Sequence, residues 1–255
     1  MRARYLILLL VFVAWIFLHA RHAASDVPQQ TPPAKSSRSF SPRDLSGVWF
    51  ISEYHQNILP NEDPPFQPWA AALYKKRDYE KSHADPDKGP DPTPRCIPPG
   101  IPREMIQPFP WEIVMARDRI VMIFEYQSLV RQIFIDGRGH PADLDPTYMG
   151  NSVGKWEGDT LVVDTNNYTD NTWMFAEGRV SIHSDALHIV ERYHRVDMNT
   201  LEIEATIEDP KVLTGPWKAP KATLVLAPFD MVMSLPCSGV ETQSLMDAAA
   251  KQKPK

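Results

Sequence analysis

Glycine is scarce in this sequence, 11 of 255 residues beside 25 prolines, and no phosphate loop, dinucleotide fingerprint or nucleophile elbow is built from it. A nucleotide-dependent enzyme is therefore not expected. An excess of positive charge is also missing. Lys and Arg number 27 against 32 Asp and Glu, a net charge of -5, and the basic residues are scattered rather than gathered into the stripe that a phosphate backbone needs. Nucleic acid is not an expected partner. Cysteine is limited to Cys96 and Cys237. Cys96 has no His or Cys neighbour to make it a reactive thiol, and an even pair in an oxidising compartment is most simply a disulfide.

A full membrane span is lacking too, since the apolar run at 5–18 stops short of the ~20 residues that crossing requires. Arg2 and Arg4 precede it, charge first and then apolar, which is the order of a secretory signal. Residues 1–26 therefore read as a signal peptide or an N-terminal anchor, with Leu18-His19-Ala20 as a candidate cleavage box. The expected location is periplasmic or extracellular, with membrane contact only through that segment if it stays uncleaved. Residues 27–41 are Pro, Gln, Ser and Lys in character, a flexible spacer. A single β-barrel domain is expected over 42–240 and a polar tail over 241–255.

The prolines crowd between Pro60 and Pro110. This argues for a long rigid loop wrapped over the body, with Cys96 as its anchor. One helix is expected at 68–82, with Pro68 in its first turn and Trp69, Ala72 and Leu73 on one side. The rest reads as strands. Residues 44–52 form a first strand, and 112–116, 119–126 and 129–136 form a meander whose two-residue gaps demand tight antiparallel turns. A central hairpin joins 153–156 to 160–165 around Glu157-Gly158-Asp159, and further hairpins pair 186–196 with 200–208 and 222–227 with 231–235. About nine or ten antiparallel strands protect their edges by closing into a barrel or folding into a two-layer β-sandwich.

Taken in order, Asp44-Leu-Ser-Gly-Val-Trp49, Trp156-Glu-Gly-Asp-Thr-Leu-Val-Val-Asp164 and His183-Ser-Asp-Ala-Leu-His188 resemble a broad group of exported bacterial proteins with a lipocalin-like β-barrel. The resemblance implies that barrel and carries no established activity. Many lipocalins pack an Arg of the last strand over the first-strand Trp, and here the last strand has no Arg to place over Trp49.

The densest polar and aromatic run follows the central hairpin, and the candidate site is placed there. His183, His188, Glu191 and Arg192 invite a metal reading. Strand alternation, however, points His188, Val190, Arg192 and His194 one way and Leu187, Ile189, Glu191, Tyr193 and Arg195 the other, so His188 and Glu191 cannot share an ion. Neither a metal nor a cofactor is expected.

Glu191 is a carboxylate on an apolar face, which needs a partner or a task. Arg131, between Leu129 and Ile133, presents the matching problem. Two readings stand: an interior salt bridge, or Glu191 as a general acid/base with His183 while Arg131 binds a ligand group. Trp173, Tyr148 and Trp156 are candidate ligand-lining aromatics. His140, Asp143 and Asp145 crowd a neighbouring loop, where Asp caps turns.

The leading functional reading is a barrel that holds a small apolar or amphipathic molecule. The alternatives are a cofactor-free hydrolase or lyase working by acid–base chemistry, and a structural envelope protein.

Overall fold

The computed structural model describes residues 40–52, 63–76, 91–174 and 182–237. The expected export segment, most of the spacer and the polar tail lie outside these residues.

Alternating β-branched, aromatic and polar residues form ten strands: β1 Gly47–Ile51, β2 Trp111–Met115, β3 Arg119–Phe124, β4 Val130–Phe134, β5 Asn151–Glu157, β6 Thr160–Asn166, β7 His188–Arg195, β8 Thr200–Glu208, β9 Trp217–Lys218 and β10 Ala222–Leu226. Neighbours pair in order from β1 to β8, and β10 pairs with both β8 and β1, so nine strands close a barrel. The sheet closes on itself, as the all-β barrel reading expects, and does not form the two-layer sandwich. Closure satisfies edges that would otherwise stay open to pairing.

The turns follow the local sequence. Gln127 and Ser128 both adopt left-handed backbone, φ +54° and +52°, the geometry a two-residue hairpin turn demands. Gly158, φ +60°, opens the two-residue turn of the central hairpin, with Glu157 opposite Thr160.

Four expectations need correction. β4 and β5 run parallel, Ile133 beside Ser152, so the barrel is not wholly antiparallel. Residues 135–150 form a crossover long enough to return the chain to the same end, which a hairpin cannot do. The last hairpin does not form. β10 instead finds partners in β1 and β8, and the segment around 231–235 makes one isolated bridge, Leu235 to Tyr126. The two-residue strand β9 is unmarked in sequence, flanked by Pro216 and Pro220, and pairs with the far half of β8.

The helix, α1, spans Pro68–Lys76, the rest of its expected range lying outside the described residues. It buries Ala70, not the predicted side: Trp69 and Leu73 are 52% and 36% exposed. Tyr74, one turn after Ala70, packs against Phe66 in a tilted ring pair with centroids 5.1 Å apart, and Trp69 Nε1 donates to the Lys211 carbonyl at 3.1 Å. Docking onto the 209–214 loop decides the buried face here, because an alanine-rich helix has no strong apolar stripe of its own.

On the strands the alternation holds. Ile189, Glu191, Tyr193 and Arg195 of β7 are buried, while Arg192 and His194 are exposed. Trp49 is fully buried, donates Nε1 to the Leu45 carbonyl at 2.9 Å and lies under a guanidinium 5.3 Å from its ring. That guanidinium comes from Arg195 of β7. The stacking cation that the last strand lacks is thus supplied from another strand.

The described part of the proline-rich stretch that carries Cys96, residues 91–110, is a strap over this core. Two short 3-10 turns, Thr93–Arg95 and Arg103–Ile106, shape it, and Cys96 is bonded to Cys237. Arg103 forms a bidentate pair with Asp91 at 2.8 and 2.9 Å, both side chains buried. The second turn buries Arg103, Glu104, Met105 and Ile106 against the barrel.

Candidate functional site

Three polar groups stand out, and the residues singled out in sequence divide among them. The first is a stripe on the inner wall across four adjacent strands. Arg131 of β4 donates Nε to Ser152 Oγ of β5 at 3.1 Å, Nη2 to Thr165 Oγ1 of β6 at 2.9 Å and Nη1 to Tyr193 OH of β7 at 3.1 Å. Its two terminal nitrogens also grip the Glu191 carboxylate, Nη1 to Oε1 at 3.1 Å and Nη2 to Oε2. Every guanidinium N–H is occupied. Burial works against charge on Arg131, but Glu191 beside it outweighs that and holds the guanidinium pKa above its ordinary value. Tyr193 OH donates to Glu191 Oε1 at 3.0 Å, and burial pushes its pKa up well beyond the ordinary phenol range. Of the two readings of this pair, the geometry favours the interior salt bridge.

The second group lies where the strap meets the polar run after β6. Met105 Sδ sits 3.5 Å from Arg131 Nη1, so the second 3-10 turn links the two groups. Thr172, His183 and Trp173 are 6%, 7% and 4% exposed. His183 Nδ1 faces the Ser184 carbonyl at 3.1 Å and must donate to it, so Nε2 is the acceptor and takes the Thr172 hydroxyl proton at 2.7 Å. Ser184 is clamped in turn by Asp209 through its N–H at 2.6 Å and its hydroxyl at 2.7 Å. Burial lowers the His183 pKa, against the opposing pull of the Ser184 contact and the Asp209 charge, so the ring is neutral at pH 7.

Arg103 lies 6.0 Å over the Trp173 ring. Next to it, Glu104 is 2% exposed, and among the described residues neither its Oε2 nor Arg103 Nε has a hydrogen-bond partner. Burial raises the Glu104 pKa to about 8 against the opposing Arg103 charge, so this carboxyl is mainly protonated at neutral pH. Gly100, φ +73°, accepts the Glu104 N–H at 2.8 Å. A side chain there would come within 2.7 Å of the Tyr148 carbonyl and 3.3 Å of Thr172 Oγ1. The Tyr148 backbone carbonyl and Thr172 therefore meet at Gly100, His183 joins them through Thr172, and Trp173 lies beside Arg103. Trp156 does not join them; Arg43 packs over its ring at 5.6 Å.

The third group links five elements on the outer side, the crossover and β5 to β8. Asp164 Oδ1 of β6 accepts from His140 Nε2 and His188 Nε2, each at 2.9 Å, and His188 Nδ1 reaches Glu208 at 3.1 Å. His140 Nδ1 also contacts Asn151 at 2.8 Å. His188 thus faces Asp164 and Glu208 rather than sharing a ligand set with Glu191. Among the described residues no set of three or more His, Cys, Asp or Glu side chains is arranged to hold a metal ion.

Burial opposes charge on His188, but its bonds to Glu208 and Asp164 raise its pKa overall. For Asp164, burial is outweighed by the two imidazoles and the pKa falls. The His188 contribution to stability is complete below the ordinary imidazole pKa and is lost as pH rises through the raised value. The Asp164 contribution is complete above the ordinary carboxylate pKa and is lost as pH falls through the lowered value. Thermal stability is therefore expected to gain from this group between about pH 4 and 6.5. His188→Gln should remove no more than about 1 kcal/mol there, since the pairs are half-solvated, and should flatten the alkaline decline. An unchanged melting profile across pH in the variant would refute the linkage.

Asp164, Thr172, Glu104 and Asp209 were not marked as site residues in sequence. Thr172 adjoins Trp173 in the singled-out polar run, but Glu104 lies in an aperiodic proline-rich stretch whose fold only its contacts determine. No family model, curated protein or solved structure matches the chain.

Proposed function

We propose that the protein is an exported, lipocalin-like barrel that binds a small, neutral, amphipathic molecule beneath the strap. The apolar part of the ligand lies against Trp173, and its hydrogen-bond acceptor meets the Glu104 carboxyl. The observation that carries this reading is Glu104, a buried carboxyl with an unused oxygen beside the Arg103–Trp173 contact. Leaving a buried polar group unpaired costs about 1–3 kcal/mol, and a ligand that completes its hydrogen bonding recovers that cost. A protonated carboxyl donates, so it selects a neutral carbonyl or ether oxygen over an anion.

Nile red, neutral and carbonyl-bearing, is a suitable probe. The full chain with its disulfide intact is expected to bind it with quenching of tryptophan fluorescence. Affinity should fall as pH rises through about 8, where Glu104 ionises, and Trp173→Leu should weaken it at least tenfold while the β circular dichroism spectrum is kept. Affinity that is flat from pH 6 to 10 and equal in Trp173→Leu would overturn the reading.

A further inference from the structure

We propose that Thr172 and His183 form a hydroxyl–imidazole pair that hydrolyses small carboxylic esters at this site, with Thr172 as the nucleophile. This rests on the binding reading above, since the ester carbonyl is the acceptor assigned there to Glu104.

The two side chains form more than a filled space. A hydroxyl is a weak nucleophile unless a base takes its proton, and the recognisable arrangement is nucleophile to base to a third group that orients the base. Here Thr172 Oγ1 donates to His183 Nε2 at 2.7 Å, and Nδ1 is held by the Ser184 carbonyl at 3.1 Å. Asp209, 1% exposed, fixes Ser184 through two short bonds. The carbonyl sets the tautomer that leaves Nε2 basic, and the Asp209 charge acts on the ring to favour the imidazolium that forms when Nε2 takes the proton. On the other side, the lack of a side chain on Gly100 lets the strap backbone lie directly against Thr172, where a Cβ would stand 3.3 Å from Oγ1. The strap that supplies Gly100 also supplies Glu104, a neutral donor for the oxygen that becomes negative. Thr172 is only 6% exposed, which restricts the acyl group to a short one.

The reaction balances with water alone. Thr172 Oγ attacks the ester carbonyl carbon while its proton passes to His183 Nε2, and the carbonyl electron pair moves onto oxygen. Collapse of that oxyanion breaks the carbon–oxygen bond to the alcohol, which leaves with the proton from Nε2, and an acyl-Thr172 ester remains. A water, giving its proton to Nε2, attacks this ester. Its collapse returns the proton to Thr172 Oγ and releases the carboxylic acid.

The test uses the full oxidised chain with p-nitrophenyl acetate as substrate, a fluorophosphonate as covalent probe and Nile red as binding control. The expected result is hydrolysis above the solvent rate, a probe adduct on Thr172 found by peptide mass spectrometry, and retention of turnover in Thr172→Ser. Thr172→Val and His183→Gln should lower kcat by about a hundredfold or more. The pH profile should be bell-shaped, with an acid limb below the ordinary imidazole range and an alkaline limb near 8, where Glu104 ionises. A role for the pair in packing alone would produce neither limb. Normal Nile red binding without adduct or hydrolysis, or hydrolysis unchanged in Thr172→Val, overturns the proposal and leaves the binding reading standing. Failure of the wild-type chain to bind Nile red, with no hydrolysis, overturns both.

Discussion

Glu191→Gln is expected to lower stability by about 3–5 kcal/mol, a fall in melting temperature of roughly 10 °C for a domain of this size, while Nile red binding at the strap survives. The cause is Arg131. It is 1% exposed, and the carboxylate that faces it across two nitrogens is its counter-charge. A glutamine preserves shape but leaves a buried cation without a counter-charge, and Ser152, Thr165 and Tyr193 offer dipoles only. Removing both charges should cost much less. Arg131→Met with Glu191→Leu fills similar volume without a desolvated ion, so the double variant should recover a large part of the loss. Urea titration of the wild type, both single variants and the double variant measures the coupling. A Glu191→Gln protein that melts within a degree or two of wild type but no longer binds or turns over would reverse the assignment and put Glu191 back in the site.

The second large effect is expected from the disulfide. Cys96 and Cys237 are separated by 141 positions, and in the chain-entropy model a loop of that length restricts the unfolded chain by about 5 kcal/mol. The double variant Cys96→Ser with Cys237→Ser should lose much of that amount in a denaturant titration. The strap should also become the first region cleaved by protease, because Cys96 is its covalent tie to the C-terminal segment. The Asp91–Arg103 pair and the second 3-10 turn hold the strap by contacts alone, and contacts break locally. Equal denaturation midpoints with and without reductant would refute the disulfide as a stabilising element. If Nile red binding is lost together with strap protection, the strap is also shown to be part of the site.

Local rules explain what could be read without the fold. Period-two alternation put Glu191 and Tyr193 on the buried face of β7 and His188 and Arg192 on the other. Turn residues marked the hairpins at Gln127-Ser128 and at Gly158. Those rules depend on neighbouring residues only, so they held wherever a tight turn joined the paired segments. They failed where pairing was remote. β10 joined β1 and β8 rather than the segment after it, β5 lay parallel to β4, and α1 turned Ala70 rather than Trp69 inward.

By itself the sequence determined that the chain carries an all-β body, that two cysteines are available to bond, and that an acid and an arginine on apolar faces each need a partner or a task. Strand period, cysteine count and the cost of burying charge are enough for each of these. Only the tertiary structure decided that Arg131 meets Glu191 across the row of Ser152 and Thr165, and that Thr172 donates to His183 under a strap carrying Glu104. Arg131 and Glu191 are 60 positions apart, and the strap reaches Thr172 from a separate part of the chain. Which of them meet is set by barrel closure and strap docking, and burial together with the surrounding charges then tunes each group's acidity.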